Sequence, residues 1–335
     1  MEFITRAWYE KKKWILIFYP LSVLYRFLSS VRKNQYLSGS KPVWHAPVPV
    51  IIVGNISIGG SGKTPLALTL IKHLKNKGYN PGIVSRGYGA ATRDFPRAVN
   101  ATDNPVEVGD EPLLLAQRGD CPVVIDPDRV SAAKFLLEQF DCDIIISDDG
   151  MQHYALGRDI EIAVVDAARR FGNELCLPAG PLREPVKRLD QVDFIVYNGE
   201  LPTKEFSNQS QSFSMQLVPD QFVPLSGEIP VAMDSWSEST TVEAVAGIGN
   251  PTRFFSTLRT LGFSVNENPF PDHHQFSASD FSEFSNSPTI MTEKDAVKCE
   301  HSWIKNGWFL QVTGQLDDLF FSQLDTKIEE LSKNL

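Results

Sequence analysis

A chain of 335 residues with 42% hydrophobic and 22% charged residues, 22 Gly and 22 Pro has the composition of a folded protein of about two domains, which excludes collagen, coiled coil and wholesale disorder. Its four cysteines (Cys121, Cys142, Cys176, Cys299) lie far apart, which disfavours a disulfide scaffold and makes a reducing compartment the natural reading. A net charge of -9 argues against a nucleic-acid partner, which calls for a basic surface.

The charge is uneven. Residues 1–50 hold eight Lys/Arg against Glu2 and Glu10, a basic end on an acidic protein. After Lys11, Lys12 and Lys13 the uncharged run of residues 14–25 is only 12 long and contains Pro20, whereas a bilayer span needs about 20 residues. No small-residue cleavage site follows, which disfavours a signal peptide. Residues 1–36 therefore read as an amphipathic segment lying on an anionic membrane surface, with a helix packed on the protein's own core as the alternative.

Residues 48–53 are an apolar run ending in Gly54-Asn55 and predict a buried strand. A helix is expected from Thr64 to about Lys77, with Pro65 tolerated in its first turn. Further strands are expected at 83–84, 122–125, 143–146, 160–165 and 194–197, with a helix near 129–140. This alternation implies a parallel sheet with helices on both faces. Residues 198–214 are rich in Ser, Asn and Gln without periodicity, and a linker is placed at 201–215. Beyond it the rhythm resumes, with strands near 242–246, 289–291 and 308–312, a helix near 251–261 and a last helix to about 331. The expected architecture is an α/β P-loop-type parallel sheet over residues 37–200, a smaller α/β lobe over 216–335, and the N-terminal amphipathic helix.

The sharpest signal is Ser57-Ile-Gly-Gly-Ser-Gly-Lys-Thr64 between an expected strand and an expected helix, the setting a P-loop requires. Gly59, Gly60, Ser61 and Gly62 would turn backbone amides onto phosphate oxygens. Lys63 would reach the β/γ-phosphates, and Thr64 would hold Mg²⁺. Position 57 is Ser where the general pattern has Gly. Residues 143–150 form a second signal, an apolar strand ending in Asp148-Asp149-Gly150, with either carboxylate suited to Mg²⁺ and a solvated turn as the alternative. Thr292-Glu-Lys-Asp295 lacks the Asn of guanine-specific switches, and Ile58 stands where membrane-cycling ATPases carry Lys, so a membrane-associated ATPase switch or scaffold is the weaker alternative to a kinase.

Gly54-Asn-Ile-Ser-Ile-Gly-Gly-Ser-Gly-Lys-Thr-Pro65, Ser85-Arg-Gly-Tyr-Gly89, Gly109-Asp-Glu-Pro112 and Asp148-Asp-Gly-Met-Gln-His153 follow in order. So do Pro178-Ala-Gly-Pro-Leu-Arg-Glu-Pro185, Gly249-Asn-Pro251, Asp272-His-His274 and Thr292-Glu-Lys-Asp295. Together they resemble the tetraacyldisaccharide 4'-kinase family of lipid A biosynthesis, whose pattern includes the Ser at position 57. The resemblance implies an ATP- and Mg²⁺-dependent kinase acting on the 4'-hydroxyl of a lipid-anchored glucosamine disaccharide 1-phosphate, at the cytoplasmic face of the bacterial inner membrane.

Transfer requires a group that accepts the hydroxyl's proton. Asp110 is the candidate base and equally a candidate helix N-cap, because Glu111-Pro112 and an apolar run follow it. The resemblance implies that His273 assists Asp110, while the adjacent His274 stays open as the functional one. Gln152 and His153 are candidates for the metal surroundings or acceptor, and otherwise polar loop residues. Arg183 and Glu184 suit either substrate binding or a rigid loop. Arg86 is a candidate phosphate partner, Glu111 joins this supporting group, and Lys294 and Asp295 would pair with each other or approach the base of the nucleotide.

Overall fold

The structure is a computed structural model that describes residues 2–201, 211–227, 229–232, 235–237, 239–284 and 287–333. In chain order come α1 (Glu2–Tyr9), a 3-10 turn (Lys13–Phe18) running into α2 (Tyr19–Leu37), β1 (Val50–Gly54), α3 (Lys63–Asn76), β2 (Pro81–Ser85) and β3 (Arg97–Ala98). Next are α4 (Pro105–Val108), α5 (Asp110–Gly119), β4 (Val123–Ile125), α6 (Arg129–Gln139), β5 (Ile144–Asp148), β6 (Ile160–Asp166) and β7 (Phe194–Asn198). The second half holds β8 (Gln211–Pro224), β9 (Thr241–Ala246), α7 (Pro251–Thr260), β10 (Ser264–Pro269), β11 (Thr289–Thr292), α8 (Glu293–Ala296), β12 (Gly307–Leu316) and α9 (Asp318–Ser332).

Every residue of β1, β5, β6 and β7 is buried, as strands covered on both faces require. β1 lies between β5 and β6 and pairs parallel with both, placing Val53 beside Asp148. The chain thus reaches β5 on one side of β1 and β6 on the other. Loops leaving the C-terminal ends of such strands diverge to opposite faces and leave a crevice between them.

The described strands form one continuous sheet in the order β10-β9-β11-β12-β8-β7-β6-β1-β5-β2-β4-β3. β8 joins its halves, running parallel to β7 from Gln211 to Met215 and antiparallel to β12 up to Pro224. Residues 211–215, expected to be linker, are therefore strand; residues 202–210 lie outside the described residues. β8 alternates partly exposed Ser, Gln and Pro with buried Phe213, Met215 and Phe222, a half-covered pattern hidden in a polar composition.

The last helix does not stay with the second half of the sheet. Phe320 of α9 packs edge-on to Phe194 and Phe213, and with Leu324 and Ile328 it joins the core beneath α3. His73 and Lys77 at the end of α3 both pair with Asp325, at 2.6 and 2.8 Å. The α9 strap thus ties the second half of the chain back across the phosphate-loop helix.

At the other end, α1, the 3-10 turn and α2 dock along one side. Trp8 Nε1 donates to Pro178 O at 3.0 Å, Ile15 is buried, and Ser22 Oγ accepts from Ala179 N at 2.8 Å. The opposite side leaves Ile17 77% and Phe27 62% exposed, with Leu21, Leu24 and Leu28 beside them. The segment thus packs on the protein by one side and leaves an apolar face exposed on the other. The helical run Lys13–Leu37 is 25 residues, long and apolar enough to cross a membrane by length and composition alone, although Arg26, Arg32 and Lys33 interrupt it.

Candidate active site

The loop between β1 and α3 turns twice through glycine, Gly59 at φ +94° and Gly62 at φ +97°. A Cβ on Gly62 would also run into the Asn198 amide, so the position needs glycine on both counts. The loop is held from outside. Asn55 Nδ2 donates to Ser61 Oγ at 3.1 Å, Asn198 Nδ2 donates to Ser61 O at 3.1 Å, and Arg169 Nη2 donates to Gly60 O.

Lys63 opens α3 and is buried, with its ammonium 3.7 Å from Asp149 Oδ1. Arg183 Nη1 donates to both Asp149 oxygens at 2.8 Å. Burial would push the Asp149 carboxyl up, but Lys63 and Arg183 together hold it well below the usual carboxylate range. Asp148 goes the other way. Burial, reinforced by the nearby charge of Glu111, pushes it up to about 7.

Asp148 Oδ2 accepts from Ser85 Oγ at 3.3 Å, while Oδ1 is buried without a hydrogen-bond partner among the described residues. An orphaned carboxylate oxygen, a second carboxylate and the Thr64 hydroxyl at the start of α3 are the oxygen donors a hard divalent cation takes. The residues present therefore fit Mg²⁺.

Beneath these carboxylates lies a braced polar layer. Gln152 Nε2 donates to Glu184 Oε2 at 2.9 Å and to Asn55 O at 3.2 Å, and Tyr154 donates to Glu184 Oε1. Adjacent residues thus face different tasks, Arg183 on Asp149 and Glu184 on the strut that reaches the phosphate loop. His153 is kept neutral, pushed down to about 4 by burial and by the charges of Arg129 and Arg86. Arg86 is exposed and makes no hydrogen bond or ion pair among the described residues.

Asp110 sits across the crevice. It is the first residue of α5, not its N-cap; Gly109 caps at φ +90°, where a Cβ would strike Tyr88 O at 2.7 Å. Asp110 Oδ1 accepts from Glu111 N at 2.9 Å, and Oδ2 faces His273 Nδ1 at 3.0 Å. Burial opposes ionisation of Asp110, yet the His273 hydrogen bond and the Lys294 charge bring it down to about 2. The same hydrogen bond raises His273 above its ordinary value, against burial.

His274 is directed elsewhere, between the rings of Phe270 and Phe276 and facing Asp280 at 3.4 Å. Of the two histidines, the one the structure brings to Asp110 is His273. Lys294 does not pair with Asp295. It contacts Glu111 at 2.9 Å, while Asp295 accepts from Gly247 N at 2.8 Å and from Lys298 at 2.7 Å.

One cleft unites the two sides: Gly60–Thr64, Glu111, Asp166 and Asn198 line it from the first half, Gly249, Arg253, Asp272 and Lys294 from the second. Sequence reasoning missed the residues that hold this cleft. Arg169 bridges Gly60 O and Gly249 O, the latter at 2.9 Å, and Asp166 fixes its guanidinium at 3.1 Å. Arg253 donates to Asn198 Oδ1 at 2.6 Å. No spacing signal marks them, because each acts by meeting a residue distant in sequence.

A sequence model of the family described as tetraacyldisaccharide-1-P 4'-kinase matches residues 14–329. A tetraacyldisaccharide 4'-kinase of Hahella chejuensis is 42% identical over 333 residues, covering 98% of this chain and 97% of that protein. One of Legionella pneumophila strain Lens is 46% identical over 321 residues, covering 95% of each. The crystal structure of an "apo" form of LpxK from Aquifex aeolicus in complex with ATP superposes with a TM-score of 0.78 at 29% identity, covering 94% of this chain and 99% of that one. With the family matched along nearly its whole length, and the fold shared with a solved relative, the chain belongs to the tetraacyldisaccharide-1-P 4'-kinase family, kinases of lipid A biosynthesis.

Proposed function

We propose that this protein transfers the γ-phosphoryl group of ATP to the 4'-hydroxyl of a lipid-anchored glucosamine disaccharide 1-phosphate. The observation that carries the reading is the convergence on one cleft of the phosphate loop, with Lys63 beside Asp149, and the Asp110 cluster, through Glu111, Asp272 and Lys294. Asp110, ionised and hydrogen-bonded by His273, is the general base that accepts the hydroxyl proton. Lys63 and the amides of residues 59–64 hold the polyphosphate and neutralise charge developing on the transferred group.

Thr64, Asp148 and Asp149 are the residues for Mg²⁺, which when bound supplies charge neutralisation on the phosphate oxygens. Arg183 orients Asp149 for that role, and the Gln152–Glu184 strut keeps the carboxylate turn in register with the phosphate loop. His153 and Arg86 border the acceptor side. Residues 37–200 act as the nucleotide lobe, and residues 216–335 as the smaller lobe, which delivers His273 and Lys294 and sends its last helix back onto the nucleotide lobe. Residues 1–36 rest on the anionic cytoplasmic face of the bacterial inner membrane, where a membrane-embedded acceptor is presented; no nucleic acid takes part.

The test is incubation with γ-labelled ATP, Mg²⁺ and tetraacyldisaccharide 1-phosphate in mixed micelles. Label in the lipid as a 4'-phosphate monoester is the expected result. Release of label only as inorganic phosphate would mean an ATPase acting as switch or scaffold.

A further inference from the structure

Lys294 belongs to neither the phosphate loop nor the Asp110–His273 contact, yet its ammonium stands 3.3 Å from His273 Nε2. It also lies 2.9 Å from Glu111 Oε1, 3.6 Å from Asp272 Oδ1 and 3.9 Å from Asp110 Oδ2. We infer that Lys294 is a positioning residue: by donating to Nε2 of His273 it reinforces, from the far side of the ring, the tautomer whose Nδ1 carries the proton that Asp110 accepts.

An ammonium has three N–H donors and no acceptor. At this distance the nitrogen facing it must offer a lone pair, so a neutral His273 carries its hydrogen on Nδ1, and Nδ1 is the atom 3.0 Å from Asp110 Oδ2. The opposite tautomer would set two N–H groups against each other at Nε2 and two lone pairs against each other at Nδ1. Both contacts would be repulsive in a partly buried site.

The local fold delivers this lysine with little freedom. Thr292 caps α8, Glu293 is clasped by Arg118 Nη1 at 2.6 Å to both oxygens, and Asp295 is anchored on Gly247 N and Lys298. The residue between those anchors is Lys294. His273 sits at φ +60° on its loop, with the Tyr88 ring 5.3 Å away on the remaining side.

The ionisable groups facing His273 are thus Asp110 on α5, Asp272 on its own loop, Lys294 on α8 and Tyr88, with Glu111 and Lys298 acting on its neighbours. Asp110 raises the ring's affinity for a second proton and Lys294 lowers it. A neutral Nδ1–H ring lets Asp110 stay ionised with a lone pair free for the acceptor hydroxyl. That consequence rests on the proposed role of Asp110 as base, whereas the tautomer is a property of the resting protein.

The experiment is long-range ¹H–¹⁵N spectroscopy of the full-length protein labelled with ¹⁵N-histidine, in detergent micelles without nucleotide. His273 is assigned by its disappearance in His273→Gln. Above the titration midpoint of the ring, wild type is expected to show protonated Nδ1 and bare Nε2. Lys294→Met should weaken that preference, leaving Asp110 alone to hold it, and move the midpoint up, since a nearby like charge is removed.

Lys294→Arg, again a donor without an acceptor, should retain the wild-type pattern. An Nε2–H tautomer in wild type overturns the inference whether or not Lys294→Met folds. So do an unchanged tautomer population and an unchanged midpoint in folded Lys294→Met, even if phosphoryl transfer is lost, because that loss would then come from nucleotide contact. Failure of Asp110 as base would appear in turnover and leave the spectra as they are.

Discussion

Asp110 Oδ2 and His273 Nδ1 lie 3.0 Å apart although 163 positions separate them. Asp110 opens a helix that packs against the phosphate-loop helix, while His273 follows β10 at the far end of the sheet. The contact therefore depends on how the two halves of the chain meet. Arg169 between Gly60 and Gly249, and Arg118 on Glu293, are further ties across the same junction.

A positioned base contributes about 10²–10⁴-fold, so Asp110→Ala is expected to lower kcat by a factor in that range. His273→Ala should cost as much or less. If both act in one proton transfer their effects do not multiply, and the double mutant is little worse than Asp110→Ala alone. Steady-state kinetics at saturating ATP measures this; a fully multiplicative loss would assign His273 a separate task such as acceptor binding.

The same carboxylate makes a stability prediction. Asp110 is held near 2 against an ordinary 3.8 because the His273 hydrogen bond and the Lys294 charge outweigh burial. A carboxyl depressed by folding stabilises above its unfolded pKa, and that contribution disappears as pH falls through its folded value. Wild type should thus lose about 2 kcal/mol from this group between pH 4 and pH 2. Asp110→Asn, which cannot titrate, should show a shallower fall in denaturant midpoint over that interval. Identical slopes would mean that Asp110 is unperturbed in the folded protein.

The nucleotide half was legible because its signals are local. β1, the glycine turns and α3 are contiguous, and β5, β6 and β7 are buried apolar runs, so periodicity and loop chemistry place them within a few residues. β8 was hidden because only one face is covered and its polar residues read as linker, and β10 because Ser264–Pro269 is an edge strand rich in Asn and Glu. Asp110 was misplaced by one residue at the helix start because Gly109, not a side-chain acceptor, makes the turn. The choice between His273 and His274 depends on a left-handed backbone at His273 and an aromatic slot around His274, and neither leaves a mark in one sequence.

Lys63→Ala is expected to reduce phosphoryl transfer by about 10²–10³-fold or more, as loss of a charge aimed at the transferring group does. Folding should survive. Asp149 keeps its two contacts from Arg183, and the 3.7 Å Lys63 contact is too long for a hydrogen bond. Turnover with MgATP and a thermal melt on the same preparation separate the two effects. Near-wild-type turnover would move the nucleotide site away from this loop.

The N-terminal segment gives the last prediction, and the structure sharpens how to test it. Deleting residues 1–36 would strip Trp8 and Ser22 from the Pro178-Ala179 turn, which leads directly to Arg183 and Glu184, so activity loss would be ambiguous. Replacing Ile17, Leu24, Phe27 and Leu28 with Ser alters only the exposed face. If that face enters lipid, the variant should lose about 10²-fold or more in partitioning onto anionic vesicles, with a higher apparent KM for glycolipid and little change in ATP affinity. Replacing Lys11, Lys13, Arg26 and Arg32 with Gln should also weaken binding, more at low than at high salt, because attraction to a charged surface is screened; Lys33 is left in place since it bonds Gln191. Release of wild type from membranes by alkaline carbonate would mark a peripheral segment, and retention one embedded in the hydrocarbon, monotopic or spanning. Vesicle flotation indifferent to both sets of substitutions would mean that the exposed apolar face serves some contact other than lipid.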